Sequence, residues 1–293
     1  MTHISIWKLM WREICRDKLA LIGLFLFVAI VATVYIWAAF IDQEAAAVVD
    51  IRMRQQPPSW QGGPEGFILG TDTAGRDMLS QLILSARNSF NIAFIVTFGG
   101  AVIGIMFGLI AGFYGKHVDN VLMRLLDFVG MVPAIMLIIV FVATIPNYSV
   151  FTFALMMILV FSWQGTARLI RVKALQQRNL DYVSASKTLG TPNIVIMIRE
   201  VLPNLVSIIV SNTTIMMASN MGIETGLTFL GFGLPFGSPS LGRLVHYART
   251  PTNLTDRPWL WLPAALLIII MMLCINFVGQ ALNRVADAKK RRA

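Results

Sequence analysis

Six long apolar runs are the feature that most constrains what this chain can fold into. They lie at 19–41, 90–114, 125–145, 150–167, 205–225 and 259–282. Each is close to the roughly 20 residues that an α-helix needs to cross the hydrocarbon of a bilayer. The fourth run follows the third through Pro146-Asn147-Tyr148-Ser149, which suits a tight turn between antiparallel helices. We therefore predict an all-α integral membrane protein with six transmembrane helices.

Composition agrees with the bilayer as the solvent. Hydrophobic residues make up 56% of the chain and charged residues only 13%, with a mean hydropathy of +0.70, whereas a soluble domain carries about 25% charged residues. The formal charge of +9 does not indicate nucleic-acid binding, because the basic residues lie between apolar runs rather than on a soluble domain. Only Cys15 and Cys274 are present, so we expect free thiols and no disulfide framework.

Charge asymmetry predicts the orientation of the spans. With both termini inside, the inner segments hold 17 Lys and Arg and the outer segments hold 7, which obeys the positive-inside rule. We therefore expect cytoplasmic N and C termini. The basic residues before the first run also allow a signal peptide, but that run exceeds the 7–15 residues, roughly, of a signal-peptide apolar core.

This topology divides the chain into segments. We expect a cytoplasmic N-terminal segment at 1–18, a first span at 19–41 and an extracytoplasmic loop at 42–89. A five-helix core at 90–282 follows, with a cytoplasmic loop at 168–203 and a basic cytoplasmic tail at 283–293.

A stripe of glycines marks the second span. The stripe consists of Gly100, Gly104, Gly108 and Gly112. A spacing of four residues places these glycines on one helix face, where a neighbouring backbone can approach closely. We interpret the stripe as a helix-packing seam, with a pore lined by glycine backbone as the alternative.

Glu224 is an acid inside an apolar run, and ionisable groups within spans are candidates for function. If the fifth span starts near Pro203, Glu224 lies close to the outer interface, where a carboxylate can reach water. A translocation or gating role, shared with Phe229 and Gly231, and an interfacial capping role both remain open.

The cytoplasmic loop at 168–203 is too long for a tight connection. Residues 180–189 can form a short amphipathic helix, and Gly190 stands where a left-handed C-cap is favoured. We expect a second helix to start at once, with Thr191 as its N-cap and Pro192 at its first position, and to run until Pro203 interrupts it. A merely solvated basic face is the alternative interpretation.

This helix, glycine, helix arrangement resembles the cytoplasmic loop of importer permeases of the ATP-binding cassette (ABC) superfamily. The family pattern is Glu-Ala-Ala, three residues, Gly, nine residues, and a hydrophobic residue before Leu-Pro. Here Ser184-Ala185-Ser186, Gly190, Val201 and Leu202-Pro203 stand at those positions. Ser184 replaces the glutamate and Ser186 replaces an alanine, so a salt bridge to an ATPase through that glutamate is not carried over.

Further segments resemble the second permease of the dipeptide, oligopeptide and nickel importers. They are 69–77 with 86–89, Asp181-Tyr182-Val183, Leu202-Pro203-Asn204, and Glu224 with 229–233. At Leu241-Gly242 the chain departs from the Trp-Gly that is usual in that group. Several separate matches in the right order make the resemblance specific.

The resemblance implies a type I importer permease fold and a transport subunit of the cytoplasmic membrane rather than an enzyme. The implied partners are a homologous permease, two cytoplasmic ATPases that bind ATP and Mg, and an extracytoplasmic substrate-binding protein. Residues 181–202 would dock on one ATPase, with contacts from Asp181, Tyr182, Val183, Ser184, Ala185, Ser186, Gly190, Leu202 and Pro203. Peptides are the expected substrate, with nickel or another chelate as the alternative.

Outside the membrane, 42–76 contains Pro57-Pro58 and Gly62-Gly63-Pro64, and we expect an irregular loop there. From Asp77 we expect a helix of about a dozen residues with one apolar side, lying along the outer membrane surface. Such a helix would help to seat the binding protein, or would only cover hydrophobic surface.

Motifs for catalysis are not found in the sequence. It has no phosphate-binding Gly-x-x-x-x-Gly-Lys-Ser/Thr loop, no His-Glu-x-x-His and no Gly-x-Ser-x-Gly. We therefore expect no catalytic residue, no bound metal and no cofactor on this chain. An ion-coupled secondary transporter is the main alternative function, but such a protein would be expected to have inverted repeats and several buried ionisable groups.

Overall fold

The structure, a computed structural model, describes residues 6–235 and 237–290, and the regular elements in this part of the chain are helices. Residues 1–5 of the predicted N-terminal segment and 291–293 of the predicted tail lie outside the described residues. A short helix, α1 (Ile6–Arg16), precedes the first long apolar helix, α2 (Lys18–Phe40). Asp17 caps α2 by accepting hydrogen bonds from the backbone of Leu19 and Ala20 at 2.9 and 3.3 Å.

The outer segment is irregular as far as residue 77, apart from α3 (Gln43–Ala47) and two single 3₁₀ turns. The next helix, α4 (Met78–Tyr114), has 37 residues and begins well before the predicted start of the second span at residue 90. The prediction of a separate helix on the outer membrane surface is therefore wrong. Met78, Ile83 and Ala86 are buried among other helices, because their apolar side packs on protein.

The third and fourth predicted spans are bent pairs of helices. The first pair is α5 (Lys116–Met131) with α6 (Ala134–Thr144), bent by 65° at Pro133. The residue before a proline avoids the α-helical region, and Val132 is extended. The second pair is α7 (Val150–Met157), continued by a wide π-helical turn to Ser162, with α8 (Gln164–Arg178), bent by 46°.

Residues 180–203, which we call the coupling segment after the role predicted for it, consist of α9 (Asp181–Thr188), α10 (Asn193–Ile196), a π-helical turn at Met197–Val201 and the start of α11 (Leu202–Leu230). The predicted break at Pro203 is wrong, since helix continues from Asn193 to Leu230 over 38 residues. A proline ring clashes with the carbonyl four residues back in a regular α-helix, and the wide turn before Pro203 avoids that clash. The side-chain amide of Asn204 donates to the Glu200 carbonyl at 3.0 Å.

Two short helices, α12 (Leu241–His246) and α13 (Pro251–Thr255), lead to the last long helix, α14 (Leu262–Lys290). Four helices in the described part of the chain are long and apolar enough to cross a membrane, or six if each bent pair counts as one span. This range contains the predicted six. The predicted tail at 283–293 is helical up to Lys290.

The direction of the helices places both described chain ends at one end of the bundle. There α1 packs on α14, with Met10 and Ile14 buried against Val278 and Leu282, and Arg284 forms an ion pair with Asp17. The coupling segment lies at the same end, because it joins the end of α8 to the start of α11. Residues 42–77, 231–235 and 237–261 lie at the opposite end.

The glycine stripe of α4 faces the pair formed by the π turn and α8. A Cβ added at Gly104 would lie 2.7 Å from the Trp163 carbonyl oxygen, and one at Gly108 would lie 2.8 Å from the Cβ of Ile170. Gly100 and Gly112 meet Ser162 and Arg171 in the same way. The backbones of the two helices therefore approach at a distance that only glycine permits.

We expect Gly108→Ala to lower the free energy of unfolding by about 1–3 kcal/mol, because its methyl group would collide with the backbone of Ala167 and Arg171. Gly99→Ala is the matched control, since its methyl group would meet only the flexible end of Ile158. Thermal denaturation of the purified proteins in detergent measures both. Equal midpoints for Gly108→Ala and the wild type would show that the seam is not tightly packed.

Candidate functional site

The first helix of the coupling segment, α9, is anchored to the bundle by the apolar side chain of Val183. Val183 of α9 is completely buried. It lies in a hydrophobic cluster whose other members come from α4, α8 and the start of the long helix at 193: Leu109, Phe113, Ile170, Ala174, Ile196, Met197, Val201 and Leu205. Val183 therefore connects α9 by packing to three other helices.

The bend between α9 and α10 is a Schellman motif at Gly190. The backbone N–H of Gly190 donates to the Lys187 carbonyl at 3.0 Å, and that of Thr191 donates to the Ser186 carbonyl at 3.1 Å. Gly190 has a φ of +79°, in the left-handed region. This agrees with the predicted cap. The predicted N-cap is wrong, because Pro192 rather than Thr191 stands before the first helical residue, and no side chain caps that end.

Polar contacts hold the two arms of the segment together and also join α9 to α8 and α4. The Ser186 hydroxyl donates to the Glu200 carboxylate at 2.7 and 2.8 Å. The Tyr182 hydroxyl donates to the side-chain oxygen of Gln177 at 2.7 Å, and burial raises the pKa of Tyr182. Lys187 lies over the ring of Phe113, 4.8 Å from its centroid. Glu200 was not singled out from the sequence, since only the fold brings it beside Ser186.

The tip of the segment presents an apolar surface. Leu189 is 84% exposed and Ile194 is 60% exposed. Asp181, Ser184, Ala185 and Pro203 are also exposed, while Leu202 is only partly so. Most of the residues predicted for ATPase contact are thus exposed or partly exposed on this one segment. The prediction of such a contact for Val183 is wrong, because its side chain is buried and anchors α9 instead.

Glu224 lies at the opposite end of α11, and its side chain is fully buried. Its Oε1 atom accepts hydrogen bonds from the hydroxyls of Ser240 at 2.9 Å and Thr228 at 3.0 Å. Its Oε2 atom has no hydrogen-bond partner among the described residues. The expectation that this carboxylate reaches water is wrong, because α12 covers it.

Ser240 links Glu224 to the start of α12. Its hydroxyl accepts from the backbone N–H of Gly242 at 3.1 Å and so caps that helix. Phe229 and Gly231, the other two candidate gate residues, lie close by: His246 contacts the Phe229 carbonyl through Nδ1 at 2.6 Å. Gly231 ends α11 with a φ of +94°. Glu224 therefore joins α12 to the end of α11.

Comparison with protein families decides what this bundle is. Residues 104–292 match the family described as "Binding-protein-dependent transport system inner membrane component". The chain belongs to this family. Residues 5–58 also match the N-terminal transmembrane domain of oligopeptide transport permease C. The resemblance to ABC importer permeases that the sequence predicts is thus confirmed.

Similar proteins cover almost the whole chain. The oligopeptide transport system permease protein OppC of Lactococcus lactis subsp. lactis (strain IL1403) is 45% identical over 278 residues, which span 95% of this chain and 93% of that protein. OppC of Bacillus subtilis (strain 168) is 30% identical, with 99% and 92% covered. The dipeptide transport system permease protein DppC of Haemophilus influenzae (strain ATCC 51907 / DSM 11121 / KW20 / Rd) is 32% identical, with 96% and 94% covered.

Family membership fixes the class of the protein. It is a multi-pass permease of the inner membrane with the ABC importer permease fold, and it is a non-catalytic transport subunit. Permeases of this family work within a transporter complex and typically bind no cofactor.

We expect Glu224→Ala to lower the free energy of unfolding by about 1–3 kcal/mol, because the buried hydroxyls of Ser240 and Thr228 would lose their acceptor. Glu224→Gln keeps an acceptor oxygen and should lose less than half as much. Thermal denaturation in detergent measures both variants. If Gln destabilises the protein as much as Ala does, the acceptor oxygen does not account for the stability that Glu224 contributes.

Proposed function

We propose that this chain is the membrane-spanning permease subunit of an ATP-driven importer of dipeptides or oligopeptides. The coupling segment carries the proposal: it is short, capped at Gly190, anchored by Val183 and apolar at its exposed tip. Relatives at 30–45% identity are oligopeptide and dipeptide transport permeases, which supports the peptide substrate.

The proposed complex contains this subunit, a homologous permease, two cytoplasmic ATPases and an extracytoplasmic substrate-binding protein. ATP and Mg would be bound by the ATPases and not by this chain. Leu189 and Ile194 would be covered in a groove of one ATPase, since burying exposed apolar side chains against a partner is favourable. The other apolar faces of the bundle would meet lipid and the second permease.

Force would pass from the ATPase into the bundle through the coupling segment. When the two ATPases close, α9 would be displaced, and Val183 would carry α4, α8 and the long helix from Asn193 with it. Two helices joined by a hydrogen-bonded bend transmit a displacement that a flexible chain would absorb. The Glu200 carboxylate, held by Ser186, would supply the acid that Ser184 lacks in the family pattern.

The orientation is part of the proposal, with both termini and the coupling segment in the cytoplasm. Native Cys15 is exposed on α1, and Cys274 is buried in α14. We expect a membrane-impermeant maleimide to label Cys15 only after spheroplasts are permeabilised. Cys15→Ser is the control that assigns the signal, and labelling of intact spheroplasts at Cys15 would reverse the orientation.

We expect Gly190→Val to uncouple ATP hydrolysis from uptake while the protein still inserts. A β-branched residue resists a φ of +79°, which costs about 1–2 kcal/mol, and no atom lies within 4 Å of the added Cβ to obstruct it. The measurement is ATP-dependent uptake of a labelled tetrapeptide by proteoliposomes that hold the complete complex, beside ATPase activity. Uptake per ATP should fall several-fold.

Gly66→Val is the matched control, because Gly66 has a φ of +89° and equally open surroundings but lies in the outer segment. Its backbone strain is the same, so coupling should be retained. Full transport by Gly190→Val would refute the proposed route of force. Uptake that persists without ATP in an ion gradient would instead favour a secondary transporter.

A further inference from the structure

A cationic cavity opens at the end of the bundle opposite the coupling segment. Its volume is about 320 Å³. Its polar side chains include Arg76 from the outer segment and Arg243, His246 and Tyr247 from α12 and the residue after it, with Gly231 at the edge. The charged residues among its described lining are both arginines, although the outer segments as a whole are neutral.

Arg76 is fixed in place by a buried acid. Its guanidinium donates to Asp72 Oδ2 through Nε at 2.8 Å and pairs with it through Nη2 at 2.6 Å. Asp72 is itself fully buried and accepts the backbone N–H of Ala74 and Arg76 at 2.7 and 2.9 Å. Asp72 thus fixes the position of the Arg76 guanidinium, and 23% of the Arg76 side chain remains exposed.

Arg243 supplies a second guanidinium to the same cavity. It lies on α12, whose start is held by Ser240 and Glu224, and its Nη2 atom donates to the Pro235 carbonyl at 3.5 Å. Burial lowers the pKa of Arg243, and the nearby charge of Arg76 lowers it further. An anion between the two arginines would offset their mutual repulsion.

Other polar groups complete the lining. Burial, followed by the charge of Asp72, raises the pKa of Tyr247, so its phenol stays protonated. Its hydroxyl accepts a hydrogen bond from the Thr73 hydroxyl at 3.4 Å. The His246 Nδ1 atom lies 2.6 Å from the Phe229 carbonyl, so its N–H is directed to the backbone and not to a ligand. The hydrogen-bond donors that the cavity offers to an anion are therefore the two guanidinium groups and the Tyr247 hydroxyl.

We propose that this cavity binds the carboxylate of the transported peptide, with Arg243 as the principal contact and Arg76 as its support. A guanidinium presents two parallel N–H groups that match the two oxygens of a carboxylate. Every linear peptide with a free C-terminus carries this group, whatever its sequence. Recognition of the terminus thus suits a permease that must accept many peptides, and the inference rests on the proposed function.

The test compares tetraalanine with its C-terminal amide in proteoliposomes that hold the complete complex. Each peptide is supplied at a concentration that saturates the binding protein, so that affinity for that partner does not enter. The quantity measured is the ratio of the two ATP-dependent uptake rates. We expect Arg243→Gln to lower the acid-to-amide ratio about tenfold or more, since a hydrogen bond between charged groups is lost, and Arg243→Lys to retain most of it.

Arg249→Gln is the matched control, because Arg249 is an exposed arginine of the same outer segment and does not line the cavity. It should leave the ratio unchanged. If Arg243→Gln slows both peptides equally, the residue serves the fold or the docking of the binding protein, and the inference fails. An unchanged ratio overturns it as well. If the wild-type complex takes up neither peptide with ATP, the proposed function itself fails.

Discussion

The close approach of α4 and α8 is the constraint on which the rest of the structure depends. Glycines at every fourth position let the α4 backbone approach the backbone of α8 closely. This contact sets the space between Leu109 and Phe113 on one side and Ile170 and Ala174 on the other. Val183 fills that space. The glycine stripe lies within the bundle, but it thus shapes the space in which Val183 of the coupling segment packs.

One helix connects the two ends of the molecule. It runs from Asn193, just after the Gly190 bend, to Leu230, just before Gly231. At its far end Glu224 holds α12 through Ser240, and α12 carries Arg243 to the outer cavity. A movement at the coupling segment therefore has a continuous rigid path to the place where we propose that a peptide is bound. Gly190 and Gly231 have positive φ and stand just outside the two ends of this helix. The chain therefore bends at these glycines and not within the helix.

Local signals in the sequence predicted the features that depend on neighbouring residues. The apolar runs, the turn at 146–149 and the cap at Gly190 follow from hydropathy, turn residues and the need for a positive φ. The errors arose where tertiary contacts decide. Pro203 does not end its helix, because a wide turn and the Asn204 side chain accommodate it. Glu224 is buried because Ser240 and α12, which begin 16 residues later in the chain, pack over it. No local sequence pattern predicts that contact.

The wide turn at Met197–Val201 lets the coupling segment and α11 each take its own orientation about the helix axis. An α-helix rotates by about 100° per residue, so the face that α11 turns toward its neighbours is tied to the register of every residue before it. A π turn contains one residue more than an α turn and resets that register without breaking the rod. The orientation of the coupling segment and the packing of the buried bundle can therefore be adjusted one without the other.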